Sequence, residues 1–80
     1  MGLAETEREL ALRTSRFVKA ELKRAGLTYA DLAERLNEHG LPGETELSVK
    51  SKVGRGTFSA IFLLATLAAL GMEAMRLEDL

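Results

Sequence analysis

The sequence predicts an all-α domain built of four helices. Three observations carry that expectation. Helix start and stop signals recur along the 80 residues, apolar residues return at three- and four-residue spacing, and strand-like alternation is nearly absent. A chain of this size forms one domain, residues 1–80, with a modest core and marginal stability unless it is oligomeric. It contains neither repeats nor low-complexity tracts.

The first helix is expected from about Thr6 to Ala25. Thr6 with Glu9 three residues on is a capping-box pattern, and Gly26 supplies the stop. At about 100° per residue, Ala11, Val18, Leu22 and Ala25 share a stripe flanked by Leu10 and Phe17. Arg8, Arg16, Lys19 and Lys23 lie opposite. That basic side reads as a solvated face balanced by Glu5 and Glu9, or as a surface for phosphates.

The second helix is short, about Tyr29 to Asn37 or Glu38. Thr28 is its N-cap candidate with Asp31 three positions on, and Tyr29, Leu32, Ala33 and Leu36 make its apolar face. A turn follows, His39-Gly40-Leu41-Pro42-Gly43, in which Leu41 is the apolar anchor. The third helix is expected from Thr45 or Glu46 to Val53. Thr45 caps it, Glu44 and Glu46 suit the positive end of its dipole, and Leu47, Val49 and Val53 are its apolar positions. Gly54 or Gly56 ends it. The fourth runs from about Phe58 to Leu70 and stops at Gly71. It is apolar almost all round: Phe58, Ile61, Phe62, Ala65 and Ala69 on one side, Leu63, Leu67 and Leu70 on the other. A helix apolar on all faces is buried on all faces, and a chain of this size has little material to cover both. The tail, residues 72–80, alternates Met75 and Leu77 with charge, so it forms a short strand or an extension that packs back through its apolar side chains.

Composition narrows the function classes. The formal net charge is −1, from 11 basic and 12 acidic residues, which argues against a non-specific polycation but not against charge gathered on one face. There is no cysteine, hence no disulfide and no thiol nucleophile. The single histidine, His39, does not make a metal site alone. No serine lies near it as a triad partner, and Gly54-Arg55-Gly56 lacks the rest of any phosphate-loop fingerprint. The expectation is a protein that is not an enzyme, with no cofactor, metal or small-molecule substrate. The apolar run from Ala60 to Met72 is too short to span a bilayer, and no signal peptide is evident, so a soluble, cytoplasmic protein is expected.

One stretch does suggest a chemistry. From Leu47 to Met72 there is no acid, and Ser48-Val49-Lys50-Ser51-Lys52-Val53-Gly54-Arg55-Gly56-Thr57-Phe58-Ser59 interleaves basic and hydroxyl side chains with single apolar ones. It follows a short helix and a turn, the order of a helix-turn-helix reader of duplex DNA. With Val49 and Val53 inward, Ser48, Lys50, Ser51 and Lys52 are left largely outward, and Thr45 stands at the leading end. Lysine, serine and threonine reach base edges or phosphates. Arg55, Thr57 and Ser59 sit at the passage into the fourth helix, whose N-terminus is a candidate phosphate clamp. Thr28 and Tyr29 offer a second. Each has a plainer reading as well: Thr28, Thr45 and Thr57 as caps, Lys50 and Lys52 as solvated lysines, Tyr29 as core.

The run Leu27-Thr28-Tyr29-Ala30-Asp31-Leu32-Ala33-Glu34-Arg35-Leu36 resembles the first helix of the motif in lambda-repressor-like (Xre-type) DNA-binding domains. Those domains end the recognition helix in Arg-Gly, here Arg55-Gly56, and a following helix in Leu-Gly, here Leu70-Gly71. The resemblance covers roughly residues 17–72 and implies a four-helix core that places its third helix in the major groove, as in a bacterial transcriptional regulator or accessory factor. More narrowly, Arg55-Gly56-Thr57-Phe58-Ser59 is similar to the signature of a bacterial domain family of unknown function. Three features differ from the Xre pattern. The turn before the third helix is several residues longer, Val49 and Val53 are spaced by four rather than three, and residues 72–80 stand where a fifth helix is expected.

A homodimer is also expected, through Leu63, Leu67 and Leu70 with Met72, Met75 and Leu77 beside them, since two-fold dimers match palindromic sites. The rival reading is a protein-interaction module that uses this apolar face and has no nucleic-acid role.

Overall fold

The computed structural model describes residues 6–80. It is all-α, with four helices: α1 (Glu7–Ala25), α2 (Tyr29–Glu38), α3 (Glu46–Arg55) and α4 (Ala60–Ala69), followed by a 3-10 turn, Leu77–Asp79. Among the described residues there is no strand.

The local signals act largely as expected. The Thr6 hydroxyl accepts from the Glu9 amide at 3.0 Å, and α1 ends in a left-handed Gly26. The Leu27 amide then donates to the Leu22 carbonyl at 3.0 Å. This closing bond turns Leu27 back onto the core. The same bond recurs after α2, from Leu41 to Leu36, and after α4, from Met72 to Leu67. Each of these three helix ends thus pins one apolar side chain: Leu27, Leu41 or Met72. On α1 the buried residues are Ser15, Phe17, Val18 and Leu22. Ala25, expected in the apolar stripe, is exposed where the chain leaves the helix.

The long turn between α2 and α3 is tied down. Leu41 packs against the core, and the Glu44 amide donates to Asn37 Oδ1 at 3.1 Å. Helix α3 runs two residues past the expected Val53 and ends at a left-handed Gly56. Glycine is required there by space as well as by conformation. A Cβ at Gly56 would lie 1.9 Å from the Ala11 carbonyl oxygen, so α1 and α3 touch backbone to backbone.

Helix α4 begins at Ala60, two residues later than the expected Phe58. Ser59 is its cap and accepts from the Phe62 amide at 3.0 Å. Phe58 instead stacks on Phe62 with ring centroids 4.9 Å apart. From α2, Arg35 Nη1 donates to the Ala69 carbonyl at 2.9 Å and so satisfies the far end of α4. The tail folds back through Met72, Met75 and Leu80 and makes a single 3-10 turn rather than a strand. No neighbouring strand exists among the described residues to pair with one.

Phe17, Val18, Leu22, Leu32, Ala33, Leu36, Val49, Val53, Phe62 and Ala69 form one core cluster. Helix α3 packs on both α1 and α2, and α2 packs on α4. Val49 and Val53 are fully buried in that packing, which leaves the opposite side of α3 to solvent.

Candidate nucleic-acid interface

Helix α3 therefore has two distinct sides. Val49 and Val53 face the core, and Leu47, Lys50, Ser51 and Gly54 recur outward at three- and four-residue spacing. Glu46 and Arg55 are exposed as well. Lys50 has no carboxylate partner among the described residues.

Two side chains expected on the outward face are held by the fold. Lys52 Nζ lies 2.6 Å from Glu44 Oε2 and 5.1 Å from the centre of the Phe62 ring. Ser48 completes the capping box of α3. It accepts from the Thr45 amide at 2.9 Å and donates to Glu44 Oε1 at 2.7 Å. Partial burial works against a charge on Glu44, but the hydrogen bonds from Lys52 and Ser48, and the charge of Lys52, outweigh it and hold the carboxyl below its usual range. Glu44 is thus neutralised within the protein and does not oppose a phosphate backbone. The sequence gives no local sign of this pair, because eight residues across a turn and a helix separate its members.

The remaining expected residues divide as follows. Arg55 is exposed and its Nη1 donates to Ser51 Oγ at 2.7 Å, which sets the guanidinium along the outward face. Thr45 and Thr28 both cap, their hydroxyls accepting from Ser48 and Asp31 at 3.1 Å. In return the Asp31 carboxylate accepts from the Thr28 amide at 2.9 Å, and that bond, foremost, holds it below the usual carboxylate range. Thr57 is exposed with no capping bond, since Ser59 caps α4. Tyr29 is half-buried against the core.

Two side chains not assigned to the site from sequence stand beside it. Lys19 and Lys23 of α1 line an open cleft of about 340 Å³ with Leu22, Leu27, Thr28, Tyr29 and Glu46. Neither lysine has a carboxylate partner among the described residues. The cleft brings the basic side of α1 and the N-terminus of α2 to the leading end of α3. The signal was present in the sequence as the basic face of the first helix, but only the fold sets that face next to α3.

The apolar surface lies elsewhere than expected. Leu67, Leu70, Met72 and Met75 are half-buried and packed on the core, and Leu63 is half-buried. The exposed large side chains of α4 are Ile61 (67%) and Leu64 (65%), with Ala60 and Ala68 exposed beside them. Leu77 is exposed in the tail. The inner side of α4 is Phe62, Thr66 and Ala69, so the helix is rotated from the orientation expected of Ile61. A second cleft, of about 610 Å³, lies between α1 and the tail; of the three arginines that line it, Arg13 and Arg24 are paired with Glu9 and Glu21, and Asp79 lines it beside Arg16. Among the described residues no helix is long and apolar enough to cross a membrane, and no cluster of three His, Asp or Glu is placed to hold a metal.

These features define a small all-α domain of four capped helices, with one solvent-facing helix that follows a tied turn. Residues 10–75 match the family described as a domain of unknown function, DUF6471, and the chain belongs to that family. The matched span includes the Arg55-Gly56-Thr57-Phe58-Ser59 signature. No curated protein and no solved structure matches the chain.

Proposed function

We propose that this domain binds duplex DNA in the manner of lambda-repressor-like helix-turn-helix proteins, as a small transcriptional regulator or accessory factor. Helix α3 enters the major groove, braced by α2. The observation that carries the reading is three lysines with no carboxylate partner among the described residues: Lys50 on the outward face of α3, and Lys19 and Lys23 on the cleft that Glu46, one turn before Lys50, also lines. Lys50, Ser51 and Arg55 face the bases and nearest phosphates. Lys19, Lys23 and the start of α2 hold the flanking backbone, the latter through the Tyr29 and Ala30 amides that the Thr28–Asp31 capping box does not use. Thr57 is exposed for a further contact.

The test is fluorescence anisotropy of a labelled duplex, titrated over a range of salt. Each neutralised phosphate adds about 0.9 to the slope of log K against log salt. Lys50→Ala, Lys19→Ala and Lys23→Ala should each lower that slope by roughly one. The double variant Lys52→Ala with Glu44→Gln should leave it unchanged, because the two charges already cancel within the protein. The same slope in the Lys19, Lys23 and Lys50 triple variant as in the unmodified chain would refute the assignment.

A second reading draws on α4. Ile61 and Leu64 form an exposed apolar patch on a helix without charge, the kind of surface used for association. A two-fold pair of α4 helices is compatible with DNA binding, since such dimers meet two half-sites. Alone, it supports an interaction module without DNA.

A further inference from the structure

Leu47 has no role in the fold that accounts for it. It is the second residue of α3 and 75% exposed, the highest exposure among the large apolar side chains of the described residues. Val49 and Val53 take the core side, and Leu47 stands apart from the core cluster. The side chains behind it on the same line, Ser51 and Gly54, are small. Leu47 is thus open to solvent at the end of α3 that leads, with the Arg55 guanidinium held one turn further on at Ser51 Oγ.

Resting on the DNA-binding reading above, we propose that Leu47 is a specificity residue that reads thymine. The first residues of a recognition helix are those that reach base edges. In the major groove every other feature is a hydrogen-bond donor or acceptor, and the C5-methyl of thymine is the one apolar group on offer. Leucine set against a cytosine amino group, or against guanine O6 and N7, would strip a polar atom of water and return no bond. Set against a thymine methyl, it buries apolar surface on both partners. Lys50, one turn on, supplies the neighbouring polar or phosphate contact.

The experiment selects duplexes from a random pool with the unmodified protein. Each thymine in a selected duplex is then replaced in turn by deoxyuridine, which lacks only the methyl group. One position per half-site should lose about four-fold in affinity, the worth of one buried methyl. Leu47→Ala should bind the thymine duplex weaker by at least that factor and be indifferent to the replacement. Because Leu47 is exposed, its circular dichroism melt should match that of the parent. If selected duplexes are bound but no replacement matters, or one matters equally in Leu47→Ala, the thymine assignment fails and DNA binding stands. If no duplex is bound, the DNA reading fails and the assignment fails with it.

Discussion

Replacing Gly56 by alanine should damage this fold far more than the same change at any other left-handed glycine. Two costs add at Gly56. Its φ of +72° is left-handed, which costs an L-residue about 1–2 kcal/mol. The new Cβ would also lie 1.9 Å from the Ala11 oxygen and 2.7 Å from its carbonyl carbon, whereas ordinary contact begins at 3.4 Å. Both obstacles are backbone, so no side chain can swing away and α1 must part from α3. Overpacking of this kind typically costs about 1–3 kcal/mol, giving roughly 2–5 kcal/mol in all, against about 4–12 kcal/mol for a domain of this length. Gly26 is the control, since its φ is +71° but nothing lies within 4 Å. Gly26→Ala should therefore lose only the conformational part, about 1–2 kcal/mol. Urea denaturation followed by circular dichroism gives both values on one scale. A Gly56→Ala variant no less stable than Gly26→Ala would refute the close approach of α1 and α3, and with it the placement of α3 against the core.

Three further perturbations follow from particular contacts. Thr66 is fully buried and its hydroxyl finds no hydrogen-bond partner among the described residues. Thr66→Val should therefore raise stability by about 1 kcal/mol, and a loss in the same urea assay would show that the hydroxyl is satisfied in solution. Glu44 has a depressed carboxyl pKa, so its pairing with Lys52 and Ser48 contributes stability above the ordinary value of 4.5 and loses it as pH falls through the depressed one. Glu44→Gln should lie below the parent at neutral pH by up to about 1 kcal/mol and converge on it in acid; parallel pH profiles would remove the pair as a stabilising contact. Replacing both Ile61 and Leu64 with serine should turn a dimer into a monomer in sedimentation while the helical circular dichroism spectrum is kept, because both side chains are exposed; a monomeric parent would dispose of the α4 dimer.

The sequence was most legible where structure is set locally. Thr6, Thr28 and Thr45 cap the helices they were expected to cap, Gly26 ends α1, and α2 has the expected bounds, because a cap is decided by neighbours three residues away. The fourth helix was harder. A helix apolar all round carries no periodic signal, so its rotation is settled by packing alone. Thus Ile61 lies outside and Thr66 inside, the reverse of what their polarity suggests. The candidate site was half legible. The outward placement of Lys50, Ser51 and Arg55 follows from the burial of Val49 and Val53. The capture of Lys52 by Glu44, and the arrival of Lys19 and Lys23 beside α3, depend on how the long turn folds and how α1 crosses, which no short-range pattern records.

In the proposed function the outward side of α3 is the surface that meets DNA. Amide chemical shifts of labelled protein, followed as a selected duplex is added, test it most directly. The largest shifts are expected at Leu47, Lys50, Ser51 and Arg55, with a second group at Lys19, Lys23 and Thr28, and little change along α4. Shifts confined to Ile61, Leu64 and their neighbours, or none at a duplex excess in low salt, would contradict it.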